Sequence, residues 1–296
     1  MTVAVYLSLY AGLLLFAGGS VWRAWRYARL PLHLRWELYP VPHEEPRRAR
    51  YGGSYFEEQE WWRKKRRGYL FGEWLAIAEE ILLLKSLRES NRPLWMPSFL
   101  FHFGIYLEFA ALALAVLSEL TQRAATVAAE ATLAGAFLTL AGATLLLIRR
   151  VTERALRNST APADFFNLLF FLAAFGTLAG GYLFRGPGSA SLAGIAHGAL
   201  RFDRGVHIGE GFGIGLMLVS ALAAYIPFTH MVHYVAKYFT WHAVRWDDRR
   251  SEPGSQIEME ACHWLNAAPT WAAPHVEADG KRTWEKIAAG APPEVR

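Results

Sequence analysis

The stretch LWMPSFLFHFGIYLEFAALALAVLSEL, Leu94–Leu120, decides the fold class because it is long, apolar and almost free of charge. Only Glu108 and Glu119 interrupt it. An α-helix needs about 20 predominantly apolar residues to cross the hydrocarbon core of a bilayer. We therefore interpret this stretch as a membrane-spanning helix.

Four other stretches have the same character, and the last of them carries His230 and His233. They are residues 1–22, 124–148, 165–184 and 211–236. The sequence thus predicts an all-α membrane protein with five transmembrane helices. Its single cysteine, Cys262, excludes an iron–sulfur cluster, an internal disulfide and a c-type haem attachment within this chain.

Positive charge is concentrated in two of the connections between these spans. After the first span come Arg47, Arg48, Arg50, Arg63, Lys64, Lys65, Arg66 and Arg67, and after the third come Arg149, Arg150, Arg154 and Arg157. The positive-inside rule places both connections in the cytoplasm, with the N-terminus outside and the C-terminus inside. The net charge of +5 is therefore read as a topology signal, and no nucleic-acid partner is expected.

These features divide the chain into four regions. They are a first transmembrane helix (1–22), a cytoplasmic or interfacial insertion (23–93), a bundle of transmembrane helices two to five (94–240) and an extended cytoplasmic tail (241–296). The end of the insertion, YLFGEWLAIAEEILLLKSLRE, predicts an amphipathic helix at the membrane interface. A surface helix against a soluble partner is the alternative.

Two histidines on different spans are expected at a similar depth below the same face. His102 follows Pro97, the expected start of its helix, by one to two turns, and His233 lies one turn before Lys237. At a rise of about 1.5 Å per residue, both lie roughly 6–8 Å inside their helix ends. Two imidazoles at one level suit an axially ligated haem iron. Separate structural hydrogen bonds are the alternative.

Nearby residues have candidate roles at such a centre. Gly104 would let a porphyrin approach the backbone. His230, about 4.5 Å deeper than His233 and turned by about 60°, is a candidate to bind a propionate, to replace His233 as ligand, or to cap a buried polar contact. The other candidate propionate contacts are Arg92, Lys237 and Arg245. Ordinary solvated roles are expected for His33, His43, His242, His263 and His275.

Two short motifs carry a resemblance to a known family. FHFG (101–104) and PFTHMVH (227–233) resemble the haem-ligand segments of the membrane cytochrome b, or gamma, subunit of respiratory nitrate reductase. The resemblance covers roughly residues 1–245. The stretch RWELYPVPHE…YGGSYFEEQEWW is more similar to the subgroup that partners heterodisulfide-reductase-like iron–sulfur proteins.

The resemblance implies that His102 and His233 bind the iron of one b-type haem near the cytoplasm. The positions matching the ligands of the family's second haem hold Leu112 and Gly215, which cannot bind iron. One haem is therefore predicted. A relocated second centre using His207 or His197 is the minor alternative.

The implied function is electron exchange between menaquinone or ubiquinone in a prokaryotic inner membrane and a cytoplasmic iron–sulfur subunit. Residues 23–67 and the tail are the expected docking surfaces, with contact to anionic lipid as the alternative for the basic segment. Glu108, an intramembrane carboxyl, is the candidate for proton exchange at a quinone site.

Two rival functions remain open at this stage. One is a haem-free anchor of a redox complex. The other is a proton or metal transporter lined by His102, Glu108, His230 and His233. The spans show neither the repeats nor the broken helices typical of transporters, apart from the glycines that open the fifth span.

Overall fold

The computed structural model describes residues 1–30, 40–65, 68–118, 121–271, 276 and 278–290, and within these ranges it contains helices and no β-strand. The predictions that involve His33, Arg66, Arg67, Glu119 and His275 lie outside the described residues. The α-helices are α1 Thr2–Ala28, α2 Pro46–Ala49, α3 Leu70–Leu83, α4 Lys85–Ser90, α5 Arg92–Leu117, α6 Gln122–Thr152, α7 Arg154–Asn158, α8 Pro162–Leu183, α9 Leu192–Arg201, α10 Glu210–Tyr225, α11 His233–Phe239, α12 Gln256–Leu265 and α13 Trp284–Ala288.

Five helices in the described part of the chain are long and apolar enough to cross a membrane. They are Thr2–Ala28, Arg92–Leu117, Arg123–Thr152, Pro162–Leu183 and Glu210–Phe228. The predicted fold class and number of spans are therefore confirmed. The orientation of the termini stays a prediction.

The first of two compact units comprises residues 1–23 and 70–233, and glycines bring its helices together. On α5, a Cβ added to Gly104 would lie 2.5 Å from the amide nitrogen of Thr139 and 2.6 Å from the carbonyl oxygen of Gly135 on α6. Small residues let membrane helices approach until their backbones touch, and van der Waals packing then holds them together. Glycine at 104 is thus required by the contact between α5 and α6.

Glycines also bring α8 and α10 into close backbone contact. A Cβ on Gly215 would lie 2.5 Å from the Cα of Leu178, and one on Gly181 would overlap the backbone of Gly211. Position 215, which the resemblance matched to a ligand of the family's second haem, therefore has no room for any side chain.

The short helix α9 and the loop that follows it are hydrogen-bonded to the ends of two spans. The hydroxyl of Tyr6 donates to the Asp203 carbonyl over 3.0 Å, and Thr2 Oγ1 donates to the Val206 carbonyl over 2.8 Å. His197 Nε2 lies 3.2 Å from the hydroxyl of Ser118 at the end of α5. His197 thus joins α9 to α5.

The predicted first helical residue of the second span, Pro97, is wrong by five residues. Helix α5 begins at Arg92, because Asn91 caps it by accepting the Leu94 amide over 3.1 Å and Pro93 fits the first turn. Pro97 lies inside the helix. His102 is therefore ten residues, or about 15 Å, from the helix start, not 6–8 Å.

The amphipathic segment before this span is helical, as predicted, but it is divided into α3 and α4. Leu84 between them adopts a positive φ of 50°, which a continuous right-handed helix cannot contain. Two side chains of α5 hold the end of α3, since Trp95 Nε1 donates to the Leu83 carbonyl over 2.7 Å and the Tyr106 hydroxyl to the Ile81 carbonyl over 2.8 Å.

The second unit comprises residues 24–69 and 234–296, so the insertion and the tail contribute to one body. Asp248 accepts from the hydroxyl of Tyr55 over 2.7 Å and lies 3.1 Å from His43 Nε2. Trp246 and Asp247 are almost fully buried beside it in the sequence. The region expected as an extended tail also contains α12 and α13.

Candidate functional site

The fifth span is broken next to its histidines. Helix α10 ends at Tyr225, and two 3₁₀ turns, Ile226–Phe228 and His230–Val232, precede α11. Pro227 explains the break, because its ring lacks an N–H and clashes with the preceding turn. Thr229, between the two turns, is extended (φ −118°, ψ 179°).

This break overturns two predictions. The offset of 4.5 Å and 60° between His230 and His233 assumed a continuous helix and is wrong. The statement that the spans contain no broken helix is also wrong, since the break passes through the motif PFTHMVH.

His102 and His233 nevertheless come together in the first unit. Their ring centroids are 5.9 Å apart, and the ring planes are inclined by 69°. His102 is half-buried on α5, and His233 is exposed at the first residue of α11. The two histidines that the sequence placed at a similar depth are thus close together, and their role as haem ligands stays a prediction.

The tautomer of His102 follows from a hydrogen bond within α5. Its Nδ1 lies 2.7 Å from the carbonyl oxygen of Ser98. A carbonyl only accepts, so Nδ1 carries the proton and Nε2 carries the lone pair. Metal-binding histidines commonly donate their other ring N–H to a carbonyl or carboxylate in this way.

The spacing of the two rings can be compared with that of a shared metal ion. Imidazole–metal bonds are about 2 Å long and each ring centre lies about 1.1 Å behind its nitrogen, so two rings on opposite sides of one ion have centres about 6 Å apart. The observed 5.9 Å fits this value.

The chemistry of the donors also favours haem over a bare ion. The described residues contain no group of three or more His, Cys, Asp or Glu side chains that could hold a metal. Two imidazoles alone make a weak site, unless the metal brings its own equatorial ligands, as haem iron does. The residues present therefore fit a b-type haem.

His230 has partners of its own on α8. Its Nε2 lies 2.9 Å from Asp164 Oδ1 and 3.3 Å from Asn167 Nδ2, and the Tyr225 hydroxyl donates to Asn167 Oδ1 over 3.0 Å. Of the three candidate roles for His230, these contacts favour the polar contact.

Glu108 and Gly104 both face α6. A Cβ on Gly135 would lie 3.0 Å from Glu108 Oε1, and that oxygen is buried without a hydrogen-bond partner among the described residues. Gly104 contacts Thr139 and Gly135, so its expected role in admitting a porphyrin is wrong: the space beside it is filled by α6.

The three basic candidates for propionate contacts lie in different parts of the chain. Arg92 is the first residue of α5, about 15 Å along the helix from His102. Lys237 and Arg245 belong to the second unit, where each approaches the ring of Trp241, at 5.7 and 4.9 Å. Their contact with propionates stays a prediction.

Sequence reasoning missed the polar group around His230. Oδ2 of Asp164 caps α8 by accepting a hydrogen bond from the Ala161 amide over 2.9 Å. The same oxygen lies 3.8 Å from Nη1 of Arg150, near the end of α6. A signal was available, because Asp164 and Asn167 lie one turn apart at the start of a span. Their link to His230 depended on the break at Pro227.

Comparison with known proteins adds one match. Residues 85–185, about one third of the chain, match the family model described as "Nitrate reductase gamma subunit". The matched segment includes His102 and Glu108 and ends before His230 and His233. No curated protein matches the chain.

The match supports a relationship to the nitrate reductase gamma subunit family, which comprises membrane cytochrome b subunits of redox complexes. Together with the five apolar helices, it supports the assignment of this chain as a multi-pass membrane subunit of an electron-transfer complex.

Proposed function

We propose that this chain is a haem b-containing subunit that exchanges electrons between the membrane quinone pool and a cytoplasmic iron–sulfur partner. The observation that carries the proposal is the pair His102 and His233, whose ring centroids are 5.9 Å apart. The family match over residues 85–185 supports it independently.

When bound, a haem supplies a one-electron couple within the membrane. The chain contributes the ligands and their orientation. The Ser98 carbonyl orients the His102 ring by accepting a hydrogen bond from Nδ1. His233 opens a separate short helix, so its ring is positioned by the 3₁₀ segment 226–232 rather than by α10.

The partner is proposed to supply the clusters that this chain cannot hold, since Cys262 is its only cysteine. A heterodisulfide-reductase-like iron–sulfur protein is the specific expectation. The cytoplasmic inner membrane of a prokaryote is the expected location, and menaquinone or ubiquinone is the expected electron carrier. Co-purification of the complex identifies the partner directly.

The reduced-minus-oxidised visible spectrum of the purified chain tests the haem proposal. We expect a b-type signal that is lost in both His102→Ala and His233→Ala. His263→Ala, the same change on α12, is the matched control and should keep the signal. Each variant is checked for folding by its thermal transition. A full signal in either ligand variant contradicts the proposal.

A transporter is the second candidate function, because the break at Pro227 is a feature that transporters use at their binding sites. Proteoliposome flux separates the two. Proton or divalent-metal flux that requires His233, in a chain without a haem spectrum, favours transport. A haem spectrum without flux favours electron transfer.

A further inference from the structure

The polar group at the beginning of α8 is partly open to the surroundings of the bundle. The side chain of His230 is 56% exposed and that of Asp164 is 20% exposed, whereas Asn167 is buried. A carboxylate and an imidazole 2.9 Å apart, with one ring edge accessible, form a unit that can bind a ligand hydroxyl and accept its proton.

The hydrogen bonds determine which nitrogen of His230 faces outward. Nε2 cannot donate to Asp164 and accept from Asn167 at the same time. The contact with the carboxylate is shorter, 2.9 against 3.3 Å, and charge-assisted, so the proton belongs on Nε2. Nδ1 then carries a lone pair and makes no hydrogen bond to any described residue.

An aromatic surface lies beside this imidazole. The rings of Phe166, Phe170 and Tyr225 form a triad in which every pair of centroids is 5.9 Å apart. Phe166 is 53% exposed. At the edge of this surface the Tyr225 hydroxyl donates to Asn167 Oδ1, and the Nδ2 atom of Asn167 lies 3.3 Å from Nε2 of His230.

These features together specify the ligand class. The exposed ring of Phe166 suits a flat, apolar ligand ring, and the lone pair on Nδ1 of His230 suits a hydroxyl donor on that ring. A ligand that enters this site from the bilayer also needs a lipid-soluble tail. A prenylated quinol has all of these properties.

We propose that Asp164, His230, Asn167 and Tyr225, with the adjoining ring of Phe166, form the binding site for the head group of the quinone carrier. The inference rests on the proposed function for the redox use of the carrier, but it assigns the carrier to the start of α8 and to the broken segment, not to Glu108. Nδ1 of His230 accepts a quinol hydroxyl proton, and Asp164 balances the positive charge of the imidazolium.

The test measures binding in a way that does not depend on haem. The chain is reconstituted in nanodiscs, and the quenching of a fluorescent 4-hydroxyquinoline N-oxide, a quinol analogue, gives the dissociation constant. We expect the dissociation constant to rise about tenfold in His230→Gln and in Asp164→Asn, because each removes one member of the hydrogen-bonded pair that binds the head group. His263→Gln is the matched control and should bind as the wild type does.

Tyr225→Phe provides a third variant in case either of the first two fails to fold, as judged by its thermal transition. Its expected rise is smaller, about threefold, because its hydroxyl acts through Asn167. Binding within twofold of wild type in all folded variants overturns the inference. Weakened binding in Glu108→Gln alone also overturns it, in favour of Glu108.

The two proposals can fail separately. A wild-type chain without a haem spectrum, or with a full spectrum in His102→Ala or His233→Ala, but with analogue binding that requires His230 and Asp164, refutes the role of His102 and His233 and leaves the quinone site standing. A normal haem spectrum, with a dissociation constant that is unchanged in His230→Gln and in Asp164→Asn, refutes the quinone site alone.

Discussion

Replacing Gly104 by Ala tests the contact between α5 and α6 on which the position of His102 depends. The new Cβ would lie 2.5 Å from the Thr139 amide nitrogen and 2.6 Å from the Gly135 carbonyl oxygen. Ordinary contacts begin at 3.4 Å. Because both neighbours are backbone atoms, the helices themselves must separate, by about 0.9 Å.

The magnitude follows from comparison with a matched glycine. Overpacking of this kind costs about 1–3 kcal/mol. Alanine also gains about 1 kcal/mol of helix propensity, but so does Gly180→Ala on α8, where an added Cβ meets nothing within 4 Å. The difference between the two variants is therefore the steric cost alone. It corresponds to a Tm lower by roughly 2–12 °C in Gly104→Ala.

Thermal unfolding in detergent, followed by intrinsic fluorescence, measures this difference. Gly142→Ala should behave like Gly104→Ala, because its Cβ would lie 2.6 Å from the Phe101 Cα across the same contact. The double variant should lose less stability than the sum, since one separation relieves both overlaps. A Gly104→Ala protein that melts at or above Gly180→Ala refutes the close contact.

Two further predictions concern regions outside the site. Tyr106→Phe should lower the free energy of unfolding by about 0.5–1.5 kcal/mol and speed amide hydrogen exchange at the end of α3, because the Ile81 carbonyl loses its donor. Unchanged exchange at the end of α3 contradicts this contact. In the second unit, hydrogen bonds from Lys64 and Arg48 lower the pKa of Glu58 below its usual 4.5. The pairing should therefore be complete above pH 4.5 and lost only as the pH falls through the lowered pKa; an NMR titration of the Glu58 carboxyl checks this, and a midpoint at or above 4.5 contradicts it.

The spans could be predicted from the sequence because apolar length alone determines them. The run from Leu94 has no competing interpretation, and the class and number of helices followed from five such runs. The proximity of His102 and His233 was also expected, although His102 lies deeper than predicted, about 15 Å from the start of α5.

Local geometry was less predictable, because it depends on contacts with distant parts of the chain. The Asn91 cap competes with Pro97 as a helix start, and a single sequence does not show which prevails. The break at Pro227 was foreseeable from proline chemistry, but prolines also occur within intact membrane helices, as Pro97 does here. The partners of His230, Asp164 and Asn167, lie on α8, and the sequence spacing alone does not bring them to His230.

The non-helical segment 226–232 has a consequence for how this protein tolerates change in length. In a continuous helix, inserting one residue before His233 would rotate its ring by about 100° and move it by about 1.5 Å relative to α8, which packs against α10. Here the two 3₁₀ turns lie between α10 and His233. An insertion or deletion within these turns therefore alters the turns and leaves the register of Gly215 against Leu178 intact.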